Sequence, residues 1–505
     1  MKQAFHIFWK DVRLYWIEVL ATLTVTALFA WLYPKSWGEL PTISVWPWVP
    51  GATAALLVVS WMLMITRVIH AESMVGERQF WITRPYLWPQ LLGAKALFIA
   101  AFLYVPFFLA QCLLLRKAGL HPLSYMSGLL FNQLLTTGIA VLPMACLAAV
   151  TSNFGKTLLA LLGLILFVGG VGYLNSLMPT SSSTDFLSDE VSYVVAVGVF
   201  IAVLFIQYSR RSTTLAWMLL TALAVTFSVI GLAGPEEWAV KITYPVSTAA
   251  AGPRLAFRQS AAISSGAGAM ADSVDTREFT IVFPIAMSGI APNTAVMMDN
   301  ARVRFTSANG VRWTSHWQSV DATWLPGETN GTVGLKINRS FYDRMKDTTV
   351  TVEMSVASTL LKAGTVTRLV LPADKFELPG GSVCRTAEKW ASTFTCLSPM
   401  RQPRRMLIAA RFSTEDCSAS PPANDGDAGI GWVGSLDTQP ADFGLTSVWE
   451  VPVWLQRFSS SRSSPRQHLC PGSPISIVPY SVVSRNQQKI VSQPLNLKSL
   501  VPSVR

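Results

Sequence analysis

Residues 96–115 read ALFIAAFLYVPFFLAQCLLL, twenty positions without an Asp, Glu, Lys or Arg. A hydrocarbon core of about 30 Å is crossed by about 20 helical residues. Lipid offers no partner to a backbone N–H or C=O, so a run of this kind satisfies them within a helix. Working outward, six more apolar stretches lie near 14–33, 48–66, 123–150, 157–178, 191–208 and 213–233, and among these only the first holds a charged residue, Glu18. Together they predict an α-helical polytopic membrane bundle of six to seven transmembrane helices over residues 1–233. Before the first span, residues 3–13 place Phe5, Phe8, Trp9 and Val12 at helical spacing, which suits an amphipathic helix lying in the membrane interface. No small-residue cleavage site follows the first apolar run, so it reads as a retained helix rather than a signal peptide.

Charge divides the 505-residue chain in two. Residues 1–233 hold 13 Lys+Arg and 8 Asp+Glu, whereas residues 234–505 hold 27 and 21. One part is written for lipid and the other for water. Neither has a Lys/Arg-rich run, so nucleic acid is not an expected partner. The bases of the first part orient it. Lys2, Lys10, Arg13, Arg67, Arg78, Arg84, Lys95, Lys156, Arg210 and Arg211 fall on one side of the expected membrane, and only Lys35, Arg116 and Lys117 on the other. The richer side is cytoplasmic by the positive-inside rule. The amino terminus is then cytoplasmic, and seven crossings carry everything after Ala233 outside, in a multi-pass protein of the plasma (inner) membrane.

Beyond a linker at 234–278, the periodicity changes to alternation. Phe279, Ile281 and Phe283 alternate with Thr280 and Val282, and Val350, Val352, Met354 and Val356 alternate with Thr351, Glu353 and Ser355. Asn309-Gly310 reads as a hairpin turn into Val311 and Trp313. Further strands are expected at 366–371, 406–412, 447–454 and 475–483, with long loops at 413–445 and 457–474. Residues 279–505 are therefore expected to form an extracytoplasmic all-β, sandwich-like domain. Its four cysteines, Cys384, Cys396, Cys417 and Cys470, suit disulfides in an oxidising compartment. Four cysteines allow three pairings; Cys384 with Cys396, closing a short loop, and Cys417 with Cys470 are favoured. Cys112 and Cys146 lie inside spans, as small buried hydrophobes.

Other chemistry is sparse. Gly155-Lys156-Thr157 lacks the Gly five residues earlier that a phosphate loop needs, since Val150 stands there. The five histidines are scattered, and no Gly-x-Ser-x-Gly elbow is present. No catalytic or metal site is expected, and no cofactor bound by this chain. Glu18 suits an interfacial helix start better than a proton path.

The segment 67–95 mixes charge with Phe80 and Trp81 on the cytoplasmic side, more than a plain tether needs. It carries Glu72, Gly76, Arg84-Pro85 and Gly93-Ala94-Lys95 in that order. With the interfacial helix before the first span, this pattern resembles the membrane subunits of type-2 ABC exporters over residues 1–233. The resemblance implies a permease without its own ATPase site. It implies ATP on a separate cytoplasmic ATPase subunit and a second permease copy in the bilayer. It also implies that Glu72, Gly76, Glu77, Arg78, Phe80, Trp81, Arg84, Pro85 and Lys95 form the coupling element. Two features depart from that family, which has six spans and no large exported domain. A non-transporting membrane protein displaying its β-domain for binding or signalling is the alternative reading.

Overall fold

The computed structural model describes residues 2–37, 49–71, 88–177, 188–233, 236–246, 253–258, 278–370, 375–378, 381–387, 390–399, 406–412, 431–436, 445–454, 456–457 and 474–500. Five helices among them are long and apolar enough to cross a membrane: Trp16–Lys35, Gly51–His70, Trp88–Lys117, Pro122–Val150 and Phe154–Tyr173. Two shorter apolar helices, Tyr193–Ser209 and Thr213–Val229, follow. Each of the seven expected stretches is thus helical. The third begins at Trp88, eight residues before the apolar run, because the charge of Lys95 is compensated within the bundle.

Residues Lys2–Leu14 form a helix, as the spacing implied. Ile7 and Asp11, one helical turn apart, are buried, while Phe5 and Trp9 stay about half exposed. Phe8 bridges the two faces, its ring meeting Phe98 at 6.3 Å and Phe102 at 6.0 Å. At the other extreme, only 6% of the Phe154–Tyr173 window is buried. A helix that is apolar on all sides belongs to a protein core or a membrane span.

Two long helices share one irregularity. A π-helical turn at Ala100–Tyr104 precedes Pro106, and another at Thr137–Val141 precedes Pro143. A proline cannot donate to the carbonyl four residues back and its ring crowds that carbonyl. Those carbonyls belong to Phe102 and Ile139, inside the wider turns that relieve the crowding. Helix Ser188–Ser209 closes on the second turn: a Cβ on Gly138 would meet the Tyr193 ring at 2.3 Å.

The stretch 234–278, expected to be a linker, is partly built into the fold. Helix Glu236–Thr243 follows the last apolar helix. Glu237 accepts a 2.8 Å bond from Arg302, which holds its carboxyl below the usual range. Val240 and Tyr244 are buried with Trp317 and Ala357. Strand β1 (Arg254–Phe257) pairs antiparallel with β2 (Glu278–Ser288). Residues 247–252 and 259–277 lie outside the described residues.

The β region holds three sheets among the described residues. β1, β2 and β6 (Asn330–Asn338) form the first. β3 (Thr294–Ser307), β7 (Thr349–Ala363) and β16 (Pro474–Val491) are central to a ten-stranded second sheet. Ile281, Phe283 and Ile285 of β2 share a core with Val303 and Phe305 of β3 and with Val350, Val352, Met354 and Val356 of β7. The two sheets thus bury apolar faces in one shared core. Gly310, at φ +82°, turns β3 into β4 (Arg312–Thr314), as Asn309-Gly310 implied. Beyond the strand expected at 475–483, Ser484–Val491 continue β16 in its pairing with β7, and Leu495–Asn496 form β17. β13 (Gly431–Leu436) likewise interrupts the expected loop 413–445.

The third sheet contains β10 (Ser382–Ala387), β11 (Trp390–Pro399) and β14 (Val448–Trp454). Cys384 and Cys396 sit opposite one another on β10 and β11, Cα atoms 4.0 Å apart, and are disulfide-bonded. This is the favoured short-loop pairing. Cys417 and Cys470 lie outside the described residues.

Candidate functional site

The amino-terminal helix is fastened to the bundle by charge. Lys95 Nζ donates to Asp11 Oδ2 at 2.7 Å, with side-chain exposures of 3% and 0%. An ammonium buried this deeply is tolerable only when paired. The partners belong to the amino-terminal helix and to Trp88–Ile99, the helix that emerges from residues 72–87. Arg67 Nε lies 3.8 Å from Glu18 Oε1, so Glu18 is an interfacial partner of the next helix rather than a lone acid in an apolar core. His70 Nε2 bonds the Ala148 carbonyl at 2.9 Å, and the hydroxyls of Thr151 and Thr157 meet at 2.6 Å. These contacts gather the ends of several helices at one end of the bundle, where helix Val49–His70 ends and helix Trp88–Ile99 begins.

Between the helices lies a cavity of about 190 Å³, with Ile69, Leu92, Ile99, Val141, Leu142 and Leu204 in its lining beside the polar Lys95, Tyr104, Thr137 and Tyr208. The two π turns face each other across it. Thr137 donates to the Gln133 carbonyl at 2.7 Å. The Tyr104 hydroxyl therefore donates to Thr137 Oγ1, and the two irregular turns are bonded to each other.

The β region meets the opposite end of the bundle. Asn132 Nδ2 donates to the Thr446 carbonyl at 3.2 Å, and Ser447 Oγ to the Gln111 carbonyl at 2.8 Å. Leu445, Val448 and Val383 join the buried apolar cluster of the helices, beside Leu114, Tyr125 and Leu129. From Lys95 to Gln111 is about 24 Å along one continuous helix. The amino-terminal helix and the β region therefore occupy opposite ends of the bundle. Gly381 makes this approach possible: its φ is +87°, and a Cβ there would lie 1.9 Å from the Tyr125 hydroxyl. Gly381→Ala is expected to cost roughly 1 kcal/mol or more through backbone strain, with the steric conflict added. Thermal unfolding in detergent measures it; an unchanged midpoint would refute the contact.

Of the residues assigned to a coupling element, Glu72, Gly76, Glu77, Arg78, Phe80, Trp81, Arg84 and Pro85 lie outside the described residues. Lys95 is described; it is buried against Asp11 and ties the amino-terminal helix to helix Trp88–Ile99, so it is not a surface contact. Asp11, Gln111 and Asn132 were not singled out by sequence. Asp11 lies off the Phe5, Phe8, Trp9 and Val12 face, so no signal in the sequence pointed to its burial. Comparison of the chain with models of known protein families, and with curated proteins, finds no match.

Proposed function

We propose that this chain is the membrane-spanning permease subunit of an ATP-driven exporter of the ABC class, coupled to a separate ATPase subunit through the 72–85 segment. The observation that carries the reading is the buried Asp11–Lys95 pair. It ties the interfacial helix to the helix continuing from that segment, so a push on the segment moves both together. ATP binding on two partner ATPase subunits would supply the push, and the π turns at Ala100–Tyr104 and Thr137–Val141 offer the bonded points about which the helices tilt. A second permease copy completes the pathway.

In this reading all seven apolar helices cross the inner membrane. The end holding the amino-terminal helix faces the cytoplasm, on the side of the ten bases, and the β region faces outward. Its location against the other end of the bundle and its disulfide support that orientation. Reversing the charges of Glu72 and Arg84 together is expected to abolish permease-stimulated ATPase activity while membrane insertion is retained. Unchanged stimulation would refute the coupling role.

The β region is gripped at two places, by helix Glu236–Thr243 and by residues 445–448. That rigid presentation is the observation favouring the second reading, a non-transporting protein that displays the β-domain for binding or signalling. Affinity purification in detergent followed by mass spectrometry separates the two: a co-purifying ATPase selects the exporter, and its absence the display protein.

A further inference from the structure

We propose that the 190 Å³ cavity between the π turns is a binding site for an acyl chain of a bilayer phospholipid, admitted sideways between helices Trp88–Ile99 and Ser188–Ser209. This rests on the membrane reading above and not on transport.

The walls select hydrocarbon. Ile69, Leu92, Ile99, Val141, Leu142 and Leu204 supply half of the twelve lining residues, and Ala96 and Ala145 two more. Of the four polar lining residues, Lys95 is paired with Asp11, Tyr104 with its fellow lining residue Thr137, and Thr137 in turn with the Gln133 carbonyl; Tyr208 is the fourth. An apolar cavity of roughly 150 Å³ stays dry and accepts a benzene-sized guest, so this one has room for a hydrocarbon segment and little to hold water. Its depth matches as well. Along helix Trp88–Lys117, the lining residues Leu92 to Tyr104 lie about 6 to 24 Å from the start. Most of that range falls within a hydrocarbon core of about 30 Å centred on the helix.

The cavity is also reachable. Leu92, Leu142 and Leu204 are half-buried and Ala96 is exposed, so the lining extends to the bundle surface. Trp88 and Phe205 stand edge to face at 5.3 Å beside this opening, both exposed. An aromatic rim of that kind suits the level where headgroups begin, leaving the headgroup outside and the chain within. Two of its walls carry a π turn next to a proline, contributing Tyr104 on one and Thr137 and Val141 on the other, while Ile69, Leu204 and Tyr208 close it from two regular helices.

The test uses the full chain in phosphatidylcholine vesicles containing a small fraction of phosphatidylcholine with a photoactivatable diazirine on its acyl chain. After irradiation, labelled peptides are mapped by mass spectrometry. Labelling is expected at 92–104 and 141–145, and at Leu162–Leu166 on the exposed helix as a reference. Ala145→Phe, which fills the cavity, and Ala96→Leu, which narrows its exposed mouth, should each abolish cavity labelling and leave the reference intact. The second variant lies at the surface and keeps the test open if the first fails to fold. A labelled reference with an unlabelled cavity, or cavity labelling untouched by both variants, overturns the proposal. An unlabelled reference overturns the membrane reading itself.

Discussion

Lys95→Met is expected to destabilise the protein by about 3–5 kcal/mol, because it strands the Asp11 carboxylate in a site that water does not reach. Asp11 is fully buried, and its Oδ2 lies 2.7 Å from the ammonium that the substitution removes. The loss is one of compensation more than of attraction, so the double variant Asp11→Leu, Lys95→Met should recover most of it. Well-packed apolar replacements of buried ion pairs are often neutral or better. Thermal unfolding of wild type, both single variants and the double variant, in one detergent, gives the coupling directly. Additive effects would sink the assignment. A further outcome separates stability from mechanism: if the pair also transmits force, the double variant should be stable yet fail to stimulate a partner ATPase.

Breaking the Cys384–Cys396 bond by changing both residues to serine is expected to cost about 3 kcal/mol. That figure comes from the chain entropy of closing a loop between cysteines 12 positions apart. The effect should reach the bundle contact. Val383 lies next to Cys384 and Leu397 next to Cys396, and both pack against the apolar cluster of the helices. The disulfide thus braces the hairpin that docks beside Tyr125. Midpoints with and without reductant measure the first effect. Crosslinking of Asn132→Cys to Thr446→Cys, in the wild type and in the serine variant, measures the second. Both cysteines reacting with an alkylating reagent in freshly isolated membranes, without reductant, would sink the bond and the outward orientation with it.

Much of this architecture was legible residue by residue. Seven apolar runs became seven helices, and the alternation through Phe279–Phe283 and Val350–Val356 became β2 and β7. Ser484 to Lys489 escaped notice because that stretch is polar throughout. Its strand exists because β7 offers it a ladder, from Leu360 back to Ser355. Tertiary pairing there overrides side-chain pattern. Helix Glu236–Thr243 escaped for a related reason: a two-turn helix is marginal alone and is held by Trp317 and Arg302.

Hydropathy and period are local properties, so the sequence alone determined where the chain is apolar, where it is polar, and which segments coil or extend. It also narrowed the cysteine pairing, since a short loop closes at least entropic cost. Partnership between distant residues was beyond it. Asp11 and Lys95 are 84 positions apart, and Asn132 and Thr446 are 314 apart. No local pattern encodes which buried charge will neutralise which, or which end of a bundle a sheet will meet. Only the packed structure decided these, because burial makes an unpaired polar group costly and leaves the chain few arrangements in which none is stranded.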